Sequence, residues 1–440
     1  MSSRFFSTTG CGEVGSPSRV RVEAASLEAG VSWALLGNVI FAASQWGIIV
    51  ALAKLGGTVS VGQFSLGLAI ATPILTFTNL QLRAIQATDA EGKHSFAEYF
   101  QLRRTTTTLA LVAIAVVLLS TSYRGATVWV VLCVAIAKAI DSFSDVHYGL
   151  FQKQERFRTI ATSLVLRGGA GTLSLAVVLY LTGNCALAVM TLAAAWLGVL
   201  LLHDSRWRGI DETRTVSPCA FWSFQPSQFA FLRSALPLGF ASALMSLQAS
   251  VPRYFVQWRD GEATLGIFSA IAYLGTLLTV FIDALGAAAM PRLSRYFANG
   301  QFALYRRLTA KLVAAGALAG IGGVAAAALL GDLVLRVAYG AEYVPHRGLF
   351  VWLMTATGAA CIGTLLNCAL TAAGRLRIQV PTFLAALAVT ASCCTILIPR
   401  AGMQGAAWSM LMAAAIHASL TAAIVLRASD PSPEFARQSQ

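Results

Sequence analysis

The sequence predicts an all-α integral membrane protein with twelve transmembrane helices, arranged as two parallel six-helix repeats. Three observations predict it. Only 12% of the 440 residues are charged, where a soluble domain carries about 25%, and the mean hydropathy is +0.68. Twelve stretches are long and apolar enough to cross a bilayer. The second half of the chain repeats features of the first at a nearly constant offset.

The composition also narrows the partners. A formal net charge of +13 could point to nucleic acid, but in so apolar a chain an excess of Lys and Arg reports topology, so no nucleic-acid partner is expected. The eight cysteines include no C-x-x-C pair, and most lie in apolar runs. They read as small hydrophobes, not as a disulfide framework or metal site. Residues 1–30 are polar and mixed in charge, with no apolar core of signal-peptide length, and read as a disordered cytoplasmic tail.

A membrane helix needs roughly 20 mainly apolar residues. In the first half the candidates are 31–53, 62–82, 105–122, 127–150, 159–181 and 185–202. Between the last two, only Thr182-Gly183-Asn184 marks a turn. The segment 203–234 is a linker. Its stretch TVSPCAFWSFQPSQFAFL (215–232) is aromatic and broken by two prolines, and reads as interfacial. The second half offers 235–256, 263–290, 308–330, 348–371, 378–398 and 403–426, followed by a tail at 427–440. With a cytoplasmic N-terminus, the loops hold 23 Lys and Arg inside and 7 outside. That bias predicts a multi-pass membrane protein with both termini in the cytoplasm.

The duplication supports the parallel arrangement. Leu36-Gly37 recurs as Leu238-Gly239, Gln45 as Gln248, Gly62-Gln63-Phe64-Ser65 as Gly266-Ile267-Phe268-Ser269, and Arg103-Arg104 as Arg306-Arg307, at offsets of 202 to 204. Arg156-Phe157-Arg158 matches Arg375-Leu376-Arg377 at 219, which places a longer loop near Gly340. An even number of helices per repeat gives both halves one orientation, with a pseudo-two-fold axis along the membrane normal and a cavity between them. This is the organisation of an alternating-access transporter.

Four stretches carry a family resemblance: GQFSLGLAIATPILTFTNLQLRAIQATD (62–89), YFQLRRTTT at the entry to the third span, YGLFQKQERFR (148–158) and PRYFVQWRDGEATLGIFSAIAYL (252–274). They resemble the oligosaccharide flippases of bacterial polysaccharide biosynthesis, within the multidrug/oligosaccharidyl-lipid/polysaccharide exporter superfamily, over roughly residues 30–426. The resemblance implies two six-helix bundles in a V. It implies a cargo, an oligosaccharide repeat unit on a polyprenyl diphosphate, moved from the cytoplasmic to the outer leaflet. It implies as partners the lipid-linked oligosaccharide, membrane lipids, a polysaccharide polymerase and a chain-length regulator.

Polar residues inside the spans are the site candidates. On a helix, Lys138, Asp141 and Asp145 fall on one stripe. Three charges facing lipid would cost roughly 8–10 kcal/mol on the insertion scale, so the stripe must face protein or a wet cavity. It could be structural, with Lys138 paired to Asp141 and Asp145 docked on a neighbouring arginine. It could also wall a cavity that handles sugar or a coupling H+ or Na+; no other cofactor is indicated. Arg167 lies about 12 Å into the fifth span by helix rise. Its fork suits a diphosphate, or an ion pair with Asp141 or Asp145. Asp283 and its repeat mate Asn79 suggest a shared rim, or a snorkelling carboxylate. Gln45 and Gln248 are matched amides that could line the cavity or bond helix to helix. Arg253, at the outer end of the seventh span, could meet the diphosphate on release or anchor the interface. Topology alone explains Arg103-Arg104 and Arg306-Arg307. Pro73 and Pro237 are expected to kink their spans.

Two rival functions remain. A cation-coupled drug exporter of the same fold would want an acidic cavity, against which Lys138 and Arg167 argue. A polymerase or membrane glycosyltransferase would want a sizeable outer loop, yet the longest runs only from about 331 to 347, and no nucleotide-binding motif is found.

Overall fold

The computed structural model describes residues 17–89, 94–121, 123–209, 226–375 and 378–428. Among these residues regular structure is helical throughout. The long helices are α1 (Pro17–Ala51), α2 (Gly57–Asn79), α4 (Phe96–Ser120), α5 (Ala126–Lys153), α6 (Phe157–Thr182), α7 (Cys185–Leu202), α8 (Pro226–Ala298), α9 (Phe302–Ala338), α10 (Arg347–Ala372) and α11 (Gln379–Ala428), with a short α3 (Leu82–Thr88).

Nine runs of helix among the described residues are long and apolar enough to cross a membrane, and three of them are double length: 32–88, 235–298 and 379–427. At 1.5 Å per residue the first would stretch about 85 Å, far beyond a bilayer core of about 30 Å. Each is broken by a glycine in a conformation no helix contains: Gly57 (φ 74°), Gly261 (φ 80°) and Gly402 (φ 55°). A side chain is disfavoured at positive φ, whereas glycine is not. Beyond Gly402 the chain folds back so closely that a Cβ on Gly405 would sit 2.3 Å from the Leu397 carbonyl oxygen. Read as reversals, the three breaks divide the nine runs into twelve limbs. Large apolar side chains such as Leu119, Leu173, Leu318 and Leu329 stand exposed around them, on the surface a bilayer would cover.

The turns themselves repeat. Gly57 and Gly261 lie 204 residues apart, and Gly183 (φ 65°) and Gly402 lie 219 apart, the two offsets already seen in the side chains. The added length near Gly340 is a 3-10 turn, Ala341–His346. The repeat-matched glycines Gly62 and Gly266 meet face to face. A Cβ on Gly62 would lie 1.9 Å from the Glu262 carbonyl oxygen, and one on Gly266 1.9 Å from that of Thr58. Thr58 and Glu262 are also 204 apart, so the same contact is made twice with the halves exchanged. Such a reciprocal contact is the mark of a two-fold axis, and it runs through the crossing of α2 with the second limb of α8.

Several boundaries differ from the sequence reading. Helix α1 begins at Pro17, inside the segment expected to be a disordered tail. Proline suits a first helical turn, and EAASLEA (23–29) is rich in strong helix formers. Residues 1–16, and 210–225 of the linker with most of its expected interfacial segment, lie outside the described residues. Residues 226–232 are the first turns of α8. Helix α4 starts at Phe96, not 105, because Ser95 and Glu98 close a capping box. Hydropathy locates the bilayer, whereas capping locates the helix end. Pro73 and Pro237 sit within continuous helix, and the chain reversals fall at glycines.

Two adjacent glycines, Gly168 and Gly169, follow Arg167, and they behave differently. A Cβ on Gly168 would lie 2.4 Å from the Ser44 hydroxyl of α1, whereas one on Gly169 would meet nothing within 4 Å. Gly168→Ala should therefore destabilise by about 1–3 kcal/mol through overpacking, while Gly169→Ala should be neutral or stabilising by up to about 1 kcal/mol. Thermal unfolding of the two variants in detergent checks the difference.

Candidate functional site: a charged cavity between the halves

Two cavities meet at Lys138. One, of about 330 Å³, lies between the halves. Phe41, Gln45, Ser65, Thr72, Lys138 and Trp196 line it from the first half, and Ser246, Ser250, Arg253, Ser269 and Tyr273 from the second. The other, of about 520 Å³, is walled by first-half residues only, including Asn79, Arg83, Asp141, Ser142, Asp145 and Tyr148. Phe41, Thr72 and Lys138 border both. The second cavity reaches exposed residues, Asn38, Gln81 and Gln152, at the end of the molecule rich in Lys and Arg. We call this the basic end, and the end bearing Gly57, Gly261 and Gly402 the glycine end.

The stripe predicted on α5 lines this space, and each of its charges is paired. Lys138 Nζ donates to Asp141 Oδ2 at 2.5 Å. Asp141 Oδ1 accepts from Arg167 Nη2 at 2.7 Å. Asp145 accepts from Arg103 Nη2 at 3.1 Å and stands 3.6 Å from Arg83. The helix supplies the spacing, and burial enforces the pairing, since an unpaired charge at this depth is costly. Opposite the stripe, His147 is enclosed by Phe96, Phe100 and Phe151, and its Nδ1 shares a hydrogen bond with the Phe143 carbonyl at 2.9 Å.

Arg167 is fully buried. Its guanidinium lies 4.7 Å from the ring centre of Trp196 and 5.8 Å from that of Phe41, and it also donates to Tyr148 Oη at 3.3 Å. Trp196 in turn donates to the Arg167 carbonyl at 3.1 Å. Of the two roles open to Arg167, the structure shows the ion pair with Asp141.

Arg103 was missed. Its neighbour Arg104 and the repeat Arg306-Arg307 made it look like a topology marker. It is instead fully buried and donates to both Asn79 and Asp145. The capping box at Ser95, eight residues earlier, shows only that both Arg103 and Arg104 lie well inside the helix; which of them turns inward is set by packing. Arg253 also needs correction. It is no interface anchor but lines the cavity between the halves. Its Nη1 donates to the Ala249 carbonyl at 3.3 Å, and among the described residues no carboxylate pairs with it.

The matched pairs part company. Gln45 lines the inter-half cavity, and its buried Nε2 has no hydrogen-bond partner among the described residues; Gln248 borders neither cavity. Asn79 lines the basic-end cavity, whereas Asp283 is exposed and borders neither. The structure thus brings Gln45, Asn79, Lys138, Asp141, Asp145 and Arg253 to one connected space, with Arg167 behind it. Three cations, Arg83, Lys138 and Arg253, line it against two carboxylates, and the buried Arg103 and Arg167 stand behind those carboxylates.

Residues 27–297 match the family model described as polysaccharide biosynthesis protein. The chain belongs to that family. The capsular polysaccharide biosynthesis protein CapF of Staphylococcus aureus is 25% identical over 378 residues, covering 86% of this chain and 93% of CapF. A MOP superfamily transporter from Pyrococcus furiosus superposes with a TM-score of 0.63 at 16% identity, covering 92% of this chain and 95% of the other. The inward-facing form of a multidrug resistance MATE family transporter gives the same score and identity, over 91% and 96%. This member of the polysaccharide biosynthesis family has the fold seen in MOP superfamily transporters.

The pairing sets which substitution in the family member's cavity should be most harmful. Asp141→Ala strands a fully buried Arg167, at about 3–5 kcal/mol. Lys138→Gln leaves the Arg167–Asp141 pair intact and removes only a partly solvated partner, worth about 1 kcal/mol or less. Membrane abundance and thermal unfolding should therefore fall sharply for Asp141→Ala and little for Lys138→Gln.

Proposed function

We propose that this transporter moves a polyprenyl-diphosphate-linked oligosaccharide across the cytoplasmic membrane by alternating access, with both termini and the basic end facing the cytoplasm. The observation that carries this reading is the sign of the cavity. Three lining cations against two carboxylates, which are themselves bound from behind by buried arginines, suit an anionic cargo. A cavity for cationic drugs would need the reverse, so the exporter reading is not favoured.

Within the cavity, Lys138 and Arg253 are the groups to meet the diphosphate. Arg167 is committed to Asp141, whereas Arg253 has no acidic partner and Lys138 only a half-exposed one. A diphosphate can draw Lys138 from Asp141 without stranding Arg167, which keeps the carboxylate. Gln45 Nε2 and the hydroxyl of Ser269, both buried without a hydrogen-bond partner among the described residues, are placed to bond sugar hydroxyls. A coupling H+ or Na+ would have to displace a cation from Asp141 or Asp145, since both are engaged. At the far side the unit would pass to a polymerase and its chain-length regulator.

Charge-assisted hydrogen bonds are worth about 1.5–3 kcal/mol each. Neutralising either cation, as Lys138→Gln or Arg253→Gln, should lower cargo translocation roughly ten- to hundredfold. Membrane abundance should stay near wild type, and Lys138→Arg should retain function. Surface polysaccharide in a strain lacking the native transporter reads the result. Full polysaccharide from the Lys138→Gln/Arg253→Gln double variant would refute the assignment.

A further inference from the structure

We propose that Glu262 is the latch that keeps the glycine end of the transporter closed. It follows the Gly261 break and opens the second limb of α8. Its carboxylate reaches across to the first half at two points. Oε2 accepts from Gln63 Nε2 of α2 at 2.9 Å, and Oε1 accepts from the Thr127 hydroxyl of α5. Gln63 Nε2 lies 3.4 Å from Thr127 Oγ1, so the three side chains form one closed set. Gln63 and Thr127 are buried. A carboxylate there is stabilised only while the halves remain together.

The latch sits beside the Gly62–Gly266 crossing, where backbone meets backbone across the two-fold axis. The two features differ in kind. The glycine crossing is symmetric and follows from the duplication. The latch is not: the repeat mate of Glu262 is Thr58, and that of Gln63 is Ile267. Packing two equivalent halves does not require it. Its polar groups therefore add something the crossing lacks, an interaction that breaks as a unit when this end opens. The basic end is held differently, by a hydrogen bond from Gln81 to Ser242 at 2.7 Å between exposed side chains and by a close approach of Gly239 to the Phe77 carbonyl. Exposed neutral pairs exchange readily with water, whereas a carboxylate held by buried donors does not. The structure accordingly holds the glycine end shut while the basic-end cavity is open.

The inference rests on two-sided access alone and not on the cargo, so its test needs no lipid-linked sugar. Ala249 is exposed within the inter-half cavity. With the eight native cysteines replaced, Ala249→Cys reports access by reaction with a membrane-impermeant maleimide added on one side of oriented vesicles. Glu262→Ala should raise the labelling rate from the glycine side about tenfold, with no rise from the basic side. Gln63→Leu/Thr127→Val should do the same from the other half. The combined variant should add little more, because one latch is broken either way. Unchanged glycine-side labelling in these variants would overturn the proposal, as would an equal rise from both sides. Should Glu262→Ala fail to reach the membrane, Thr127→Val decides, since it keeps shape and removes only the hydroxyl. A severalfold one-sided rise supports the latch, and no rise refutes it. Failure here would leave the cargo assignment standing, and loss of the cargo assignment would leave the latch.

Discussion

A guanidinium buried at membrane depth must be met by a carboxylate, and the interior of this protein is organised around that need. Arg167 and Arg103 are both fully buried on the first-half helices, and α5 supplies one acid to each, Asp141 and Asp145, one helical turn apart. Because the acids are bound from behind by buried arginines, their remaining faces can be left to a wet cavity without the penalty of an isolated charge. Lys138 and Arg83 then complete the pairs from the cavity side. The charges that look extravagant in a membrane helix are therefore both structural and accessible. The pairs stabilise one another through a shared helix, and the excess of cations over acids fixes the sign of the space they enclose.

The second half contributes geometry and a single charge. The positions that repeat the stripe, Thr357, Ala360 and Thr364, carry no charge, and Arg253 is that half's one cation in the inter-half cavity. The reciprocal glycine contact at Gly62 and Gly266 holds the two halves at their axis, so that Arg253 of the eighth helix and Lys138 of α5 face the same volume. A cargo bridging these two residues would touch both halves at once. That is the condition for binding energy to bias one half's position against the other.

Much of this was legible in the sequence. Composition and span length pointed to the helical membrane class. The duplication was visible in Gly62-Gln63-Phe64-Ser65 and its repeat, and the structure shows it again in the turn glycines, because a backbone turn at positive φ tolerates few substitutes. The common face of Lys138, Asp141 and Asp145 followed from helical periodicity. What escaped were properties of assembly. Arg103 is indistinguishable from Arg104 by type and neighbourhood; only the packing of α4 against α5 and the residue Asn79 separates them. Arg253 was placed at a helix end by counting apolar residues, but α8 continues to residue 260 before it breaks, which draws Arg253 inward. The Glu262 contacts join positions 63, 127 and 262, and no local pattern announces a bond across such separations. Gln248 and Asp283 show the opposite error. A matched position in a repeat preserves the fold, not the role, once one half has kept the charge.

The central claim is that the cavity selects an anionic lipid-linked cargo. The most direct measurement is translocation by the purified protein in liposomes, comparing a fluorescent polyprenyl-diphosphate oligosaccharide with a cationic amphiphilic dye. The account predicts protein-dependent movement of the diphosphate-linked sugar and none of the dye. Transport of the dye with no movement of the sugar would contradict it.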